Sequence, residues 1–331
     1  MSLRLLVAAA MVTFGVALGG AASPAVQNSR GEVLPEVARP FPAGLTGTLV
    51  FQSDVGGRPA IYTLALATGA VARLSGDPRF TTTTPRWSPD GARVVFASNR
   101  AHYDGPSPET GTPDLDLWSI NADGSGLARL TRDPANEGDP AWAPDGQSVI
   151  FTSERESRGD LYRLVFATGA VTRLTQHYVG RAIMPAPSPN GQRIAFAAQT
   201  LRVGAFWDFQ VHVLPASGGP PVPLSATEGA CWPNWSSDGE RLANVRLPSG
   251  APSTLELREG PRLERSRVLG APGLWSYYPD WSPDGARLAF SVSPEHHEGE
   301  NWDLAVIEVA SGAWTRLTNG AGNDRLPDWK R

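Results

Sequence analysis

Pro85-Arg86-Trp87-Ser88-Pro89-Asp90-Gly91 is a phrase that returns along the whole chain. Its copies are Pro140-Ala141-Trp142-Ala143-Pro144-Asp145-Gly146, Pro185-Ala186-Pro187-Ser188-Pro189-Asn190-Gly191, Pro233-Asn234-Trp235-Ser236-Ser237-Asp238-Gly239 and Pro279-Asp280-Trp281-Ser282-Pro283-Asp284-Gly285. A sixth copy stops after Pro327-Asp328-Trp329. Successive starts are 55, 45, 48, 46 and 48 residues apart, the period of a four-stranded propeller blade. In each copy Pro fixes φ, Asp or Asn hydrogen-bonds its own backbone and Gly takes positive φ. That combination makes a tight hairpin turn.

The turn separates an inner strand from a second one. The second strands read Val94-Val95-Phe96, Val149-Ile150-Phe151, Ile194-Ala195-Phe196, Leu242-Ala243-Asn244 and Leu288-Ala289-Phe290, short apolar runs expected where both sheet faces are covered. Leu49-Val50-Phe51 matches them without a preceding Pro-x-Trp phrase. Third strands follow as Ile61 to Leu64, Leu117 to Ile120, Leu161 to Leu164 and Leu304 to Ile307, and fourth strands end in Arg73-Leu74-Ser75, Arg129-Leu130-Thr131, Arg173-Leu174-Thr175 and Arg316-Leu317-Thr318. The sequence therefore predicts an all-β fold, a six-bladed β-propeller of four-stranded antiparallel blades over 47–331. The first blade lacks an inner strand and the last copy is an inner strand alone, so residues 327–331 are expected to pair beside Leu49 to Phe51. Closure of this kind removes exposed sheet edges.

Composition agrees. Hydrophobic residues make up 41 %, charged residues 19 %, with 35 Gly, 30 Pro and 11 Trp, a turn-rich pattern far from helical or disordered chains. The net charge of −4 leaves no basic surface for nucleic acid. Residues 1–22 pair Arg4 with an apolar run from Leu5 to Leu18 and then small residues, the layout of a secretory signal peptide. Gly20 and Ala22 suit its cleavage site, no Cys follows for lipidation, and no stable membrane span is expected after removal. Residues 23–46 read as a linker. Cys231 is the sole cysteine, so packing rather than a disulfide must hold the exported fold. Lys330 is the sole lysine, a bias read as genome composition.

The Pro-x-Trp-Ser-Pro-Asp-Gly phrase, the apolar strand ending in Phe, the Asp-Leu-Tyr or Asp-Leu-Trp strand and the Arg-Leu-Thr ending resemble the WD-like propeller repeats of the TolB family. The likeness covers 47–331 and leaves out that family's N-terminal α/β domain. It implies a periplasmic or secreted protein whose propeller binds an envelope protein or peptide, possible partners including a peptidoglycan-associated lipoprotein.

Sites are then weighed against the needs of the repeat. The turn residues Asp90, Asp145, Asn190, Asp238 and Asp284 each serve their own turn. Asp116, Asp160, Asp208 and Asp303 open third strands and read as caps of the preceding turn. Trp87, Trp142, Trp235, Trp281 and Trp329 occupy one equivalent position and read as inter-blade packing. Connections between blades and loops joining second to third strands emerge on one face, which on this reading gathers Glu137, Asp139 and Asp324 among others. The candidate partner-binding residues there are Trp232, Trp275, Tyr277, Tyr178, Arg181, Arg325, His102 and Tyr103. The insertion from Ala101 to Asp114 enlarges the same face.

No nucleophile elbow, phosphate loop or metal-ligand spacing is present, so no catalytic residues, cofactors or metal ligands are assigned. The expected function is a non-catalytic protein or peptide binding scaffold in the cell envelope, acting as a monomer. The alternative is a propeller enzyme of lactonase or polysaccharide lyase type, with a metal at the axial channel mouth near His296 and His297.

Overall fold

The structure is a computed structural model that describes residues 26–28, 31–75, 77, 79–102, 114–156, 159–201, 207–224, 229–295 and 299–331. The signal segment 1–22, most of the insertion, Tyr103, His296 and His297 lie outside the described residues. Six four-stranded antiparallel sheets follow one another, and adjacent sheets pack through their inner strands around a ring. The six-bladed propeller is as expected.

Blade I joins Arg325–Trp329 to Thr48–Ser53, Ala60–Ala65 and Ala70–Arg73. Blades II to VI start at the inner strands Thr82–Trp87, Glu137–Trp142, Arg181–Pro187, Ala230–Trp235 and Trp275–Trp281. The last strand pairs with the first blade as expected, and its register sets Trp329 opposite Leu49 and Asp328 opposite Val50. Among the described residues the only helical element is a single turn, Arg100–His102, and no helix is long and apolar enough to cross a membrane.

The local chemistry of the turn is visible in every detail. In blade II the Ser88 hydroxyl donates to Asp90 at 2.5 Å and accepts from Arg93 N at 2.9 Å, while Asp90 accepts from Ala92 N at 3.0 Å. Gly91 then reverses the chain at φ 64°, a conformation that costs Gly little. Second strands are buried on both faces: Leu49, Val50, Phe51, Val149, Ile150 and Phe151 are all 0 % exposed. Blade V replaces the buried Phe by Asn244, which joins Glu256 and Arg258 in a buried hydrogen-bonded group. Such a group is tolerated only because its members satisfy one another.

The Pro of each phrase has a role that turn chemistry does not show. Every inner strand carries a register shift just before it, as between Thr83 and Arg86 or Cys231 and Asn234. The residue ahead of Pro adopts positive φ in all six blades: Thr84, Asp139, Met184, Trp232, Tyr278 and Leu326, at 46° to 59°. Pro, which has no N–H to give a ladder, is accommodated by this bulge.

Three of the repeat Trp then lock onto the preceding blade through the indole N–H. Trp142, Trp235 and Trp281 donate Nε1–H to the carbonyls of Arg86, Ala186 and Asn234, each at 3.1 Å. A cation from the preceding blade covers the ring: Arg93 over Trp142, Arg193 over Trp235 and Arg241 over Trp281, at 5.0, 4.6 and 4.5 Å. Lys330 does the same for Trp87 at 5.0 Å. The sole lysine thus has a local role at the seam, beyond codon bias.

Residues 33–46, within the segment read as a linker, lie against the propeller. Leu34, Val37 and Phe41 pack on the core of blade I, and Val37 bridges to Thr318. Deleting residues 326–331 should lower the unfolding free energy by at least about 4 kcal/mol, the scale of losing one buried Trp before any ladder bond is counted. Chemical denaturation of the truncated chain checks this; a midpoint equal to the parent's would contradict closure.

Candidate functional site

The bulge aims one side chain per blade at the axis. Tyr278 of blade VI feels the charge of Asp139 in blade III, three blades away, and hydrogen-bonds Arg325 of blade I. Burial is the main cause that pushes the Tyr278 hydroxyl up to about 12. Burial likewise raises the Asp139 carboxyl, and the Arg86 and Arg181 guanidinium groups oppose that rise.

Composition is lopsided around this mouth. On blades IV, V and VI the bulge and the residue before it are Ile183-Met184, Cys231-Trp232 and Tyr277-Tyr278; on blades I, II and III they are Arg325-Leu326, Thr83-Thr84 and Gly138-Asp139. The result is an aromatic half facing a polar half.

A pocket of about 690 Å³ opens on the aromatic half, within the range of ligand clefts. Met184, Phe209, Cys231, Trp232, Leu247, Pro248, Pro252, Trp275 and Tyr278 are among the residues that line it. The rings brace one another edge-on, Trp232 to Tyr278 at 4.8 Å and Tyr277 to Trp302 at 5.5 Å. Pairs of this geometry add to simple burial. Burial drives the Cys231 thiol far above its ordinary range, so it is an apolar wall atom with little thiolate to react.

Three of the sequence-derived candidates, Trp232, Trp275 and Tyr277, meet in this pocket. Arg325 stands beside them: it contacts Tyr278, covers Trp302 at 5.2 Å and donates to the Gly299 carbonyl at 2.7 Å. Arg181 faces Asp139 and lies 3.3 Å from Glu154. Tyr178 is apart from the group, its ring packed on Phe196 and His212 at 5.8 and 5.6 Å. His102 ends the helical turn after blade II's second strand. Met184, Phe209, Leu247 and Tyr278 come from three blades; Met184 and Tyr278 are signalled by standing ahead of Pro in the phrase, and Phe209 and Leu247 carry no such signal.

Two acids placed on the loop face by their position are in fact interior. Glu137 is 1 % exposed and ion-paired with Arg155, and Asp324 is 1 % exposed. The aspartates opening third strands also act differently from turn caps. Asp116, Asp160 and Asp303 bind the arginines of the fourth-strand ending, Arg129, Arg173 and Arg316, at 2.9, 2.7 and 2.7 Å. The Thr of that ending accepts a third-strand N–H, as from Leu161 to Thr175 at 3.0 Å. The repeat Asp and Arg-Leu-Thr are one cross-strand clasp.

At the opposite end of the axis a cavity of about 140 Å³ is lined by Arg86, Asn234, Asp328 and Arg331. Asp280 accepts from Trp329 N and Asn234 Nδ2, each at 2.6 Å, and Asp328 accepts from Trp87 N at 2.6 Å. Among the described residues no three His, Cys, Asp or Glu side chains are grouped to hold a metal ion.

Fold and repeat define a six-bladed β-propeller, and its repeat is similar to that of TolB propellers. The family model described as the TolB beta propeller domain matches residues 79–214. An uncharacterized protein of Agrobacterium fabrum is 28 % identical over 57 % of this chain and 62 % of its own length. The Tol-Pal system protein TolB of Francisella tularensis is 24 % identical over 55 % of this chain and 40 % of its own length, so the matches span less than two thirds of these relatives. The crystal structure of TolB from Acinetobacter baumannii superposes with a TM-score of 0.68 at 17 % identity, over 88 % of this chain and 68 % of that one. Oligogalacturonate lyase from Vibrio parahaemolyticus shares the fold, with a TM-score of 0.57 at 14 % identity over 86 % and 79 %.

Burial separates structural from contact roles among the aromatics. Tyr277, 5 % exposed, should cost about 3 to 5 kcal/mol on replacement by Ala. Trp275, only partly buried, should cost less than half of that. Urea titrations of the two variants compare them directly; equal losses would place Trp275 in the core.

Proposed function

We propose that this chain is a non-catalytic docking scaffold of the cell envelope, which seats a segment of another protein at the axial mouth. The aromatic pocket carries the reading. A rigid apolar recess with braced Trp and Tyr walls is the kind of surface on which a few anchor side chains supply most of the binding energy. Proximity to Arg325, whose guanidinium has carbonyl, hydroxyl and ring contacts, sets the partner's chemistry: an apolar or aromatic anchor with an Asp or Glu close by in its sequence. The likeness to TolB proteins and the amino-terminal signal pattern support the periplasm as the place of work. A peptidoglycan-associated lipoprotein is the first partner to try.

The pocket walls are carbon-rich and the one thiol is held neutral, which supports binding over turnover. The lyase-like reading would draw on His296 and His297, outside the described residues.

Selection of displayed peptides against the propeller should enrich sequences with an aromatic or aliphatic anchor flanked by acidic residues. Trp275→Ala should weaken the selected peptides at least about tenfold, the scale of a modest hot spot. Arg325→Gln should weaken only those that carry the acid. Enrichment of basic peptides, or unchanged binding by the Trp275 variant, would move the site elsewhere. Stoichiometric manganese, calcium or zinc in the purified protein would instead favour the enzyme class.

A further inference from the structure

Glu137 and Asp324 occupy equivalent places in blades III and I, each five residues ahead of the inner-strand Trp, Trp142 or Trp329. Their surroundings correspond residue by residue. The preceding blade offers an Asp opening its third strand and a Thr ending its fourth, Asp116 and Thr131 in one case, Asp303 and Thr318 in the other. The blade's own second strand ends in Ser153 or Ser53. Two residues later the correspondence breaks: blade III has Arg155 and blade I has Val55.

That one exchange changes the balance of charge, although burial still lifts Glu137 to about 7 beside its arginine. Arg155 pairs with Glu137 and also reaches Asp133 at 3.6 Å. Val55 supplies nothing to Asp324. The other groups facing Asp324 are the carboxylates of Asp303 and Asp54 and the hydroxyls of Ser53 and Thr318; the phenol of Tyr62 is also within its field. Arg316 is committed to Asp303 at 2.7 Å, and Arg73 lies over the Tyr62 ring. Asp54 is occupied by Asn323, whose N and Nδ2 donate to it at 2.7 and 2.8 Å. An ionised Asp324 would be a third negative charge in a dry site with one committed guanidinium.

We propose that the seam between blades VI and I is a proton-operated latch, in which Asp324 is carried protonated in the closed ring and its ionisation loosens the last strand. The strand affected follows from the chain: Asp324 N donates to the Trp302 carbonyl at 2.8 Å, and the next residue opens Arg325–Trp329. At the far end of that strand Asp280 and Asp328 face Arg86 and Arg331 and accept backbone N–H groups, yet burial and the neighbouring Asp280 still lift Asp328 to about 7.

The direction with pH is fixed by linkage. Burial lifts Asp324 to about 8 and Asp303 to about 7, from an ordinary value of 3.8. The folded ring therefore holds protons that the open chain releases. Latch stability is fully present below about pH 4 and is lost as pH rises through the folded values, up to about pH 8.

Hydrogen exchange of the full chain at pH 5.5 and 8.5, corrected for intrinsic rates, reads the latch directly. Protection of Arg325–Trp329 should fall at least about tenfold at the higher pH. Ala230–Trp235, with Ala230 at the place of Asp324, should serve as the unchanged reference strand. Asp324→Asn should shrink the fall at least about tenfold, leaving the part that Asp303 and Asp328 carry, and Val55→Arg should shrink it by supplying the cation that Glu137 has in Arg155. Should Asp324→Asn fail to fold, the parent and Val55→Arg still decide. Equal protection at both pH values, or a fall of undiminished size in the folded variants, would overturn the latch.

Discussion

The indole of the repeat Trp, wedged against the preceding blade and in Trp142, Trp235 and Trp281 bonded through Nε1 to a carbonyl of that blade's inner strand, is the interaction on which the ring depends. No single blade buries both faces of its second strand. Val149 to Phe151 are sealed only because blades II and IV stand on either side. The bulge before Pro sets the wedge, since the register shift there separates the outward part of the inner strand from the Pro-x-Trp part. Strain at six positions of positive φ is the cost of that arrangement, offset by indoles that bury more area than any other side chain.

The same bulge produces the functional asymmetry. A backbone device repeated six times presents six side chains to one axis, and evolution of those positions alone can turn a symmetric ring into a surface with an aromatic side and a polar side. Trp232 and Tyr278 can serve the mouth, because the Trp three residues later does the packing between blades. Structure and recognition are thus assigned to different residues of one phrase. At the seam a similar economy appears, with Lys330 acting as the cation that Arg93, Arg193 and Arg241 supply elsewhere.

Much of the fold was legible in the sequence because its rules are local and repeated. Ser-Pro-Asp-Gly specifies a turn by itself, and runs such as Val149-Ile150-Phe151 specify a strand covered on both faces. Even the closure of the ring was readable, from a phrase that starts at Pro327 and a first strand that lacks one. The pocket was only half legible. Trp232, Trp275 and Tyr277 stand out as aromatics the repeat does not need, but Phe209 and Leu247 reach it from positions that carry no sign of doing so. Glu137 and Asp324 were placed on the loop face because their position in a connection says nothing about depth. The clasp between Asp160 and Arg173 was hidden for a related reason: its two ends lie on neighbouring strands, and adjacency across strands is a product of register.

Equilibrium unfolding followed at once by tryptophan fluorescence and far-ultraviolet circular dichroism tests the wedge most directly, since the indoles report contacts between blades and the dichroism reports strands within them. Interlocked blades in a closed ring should give one transition with coincident midpoints and slopes. A fluorescence change that precedes loss of strand structure would show blades that hold their sheets without their neighbours, as in an open repeat array, and would contradict the account.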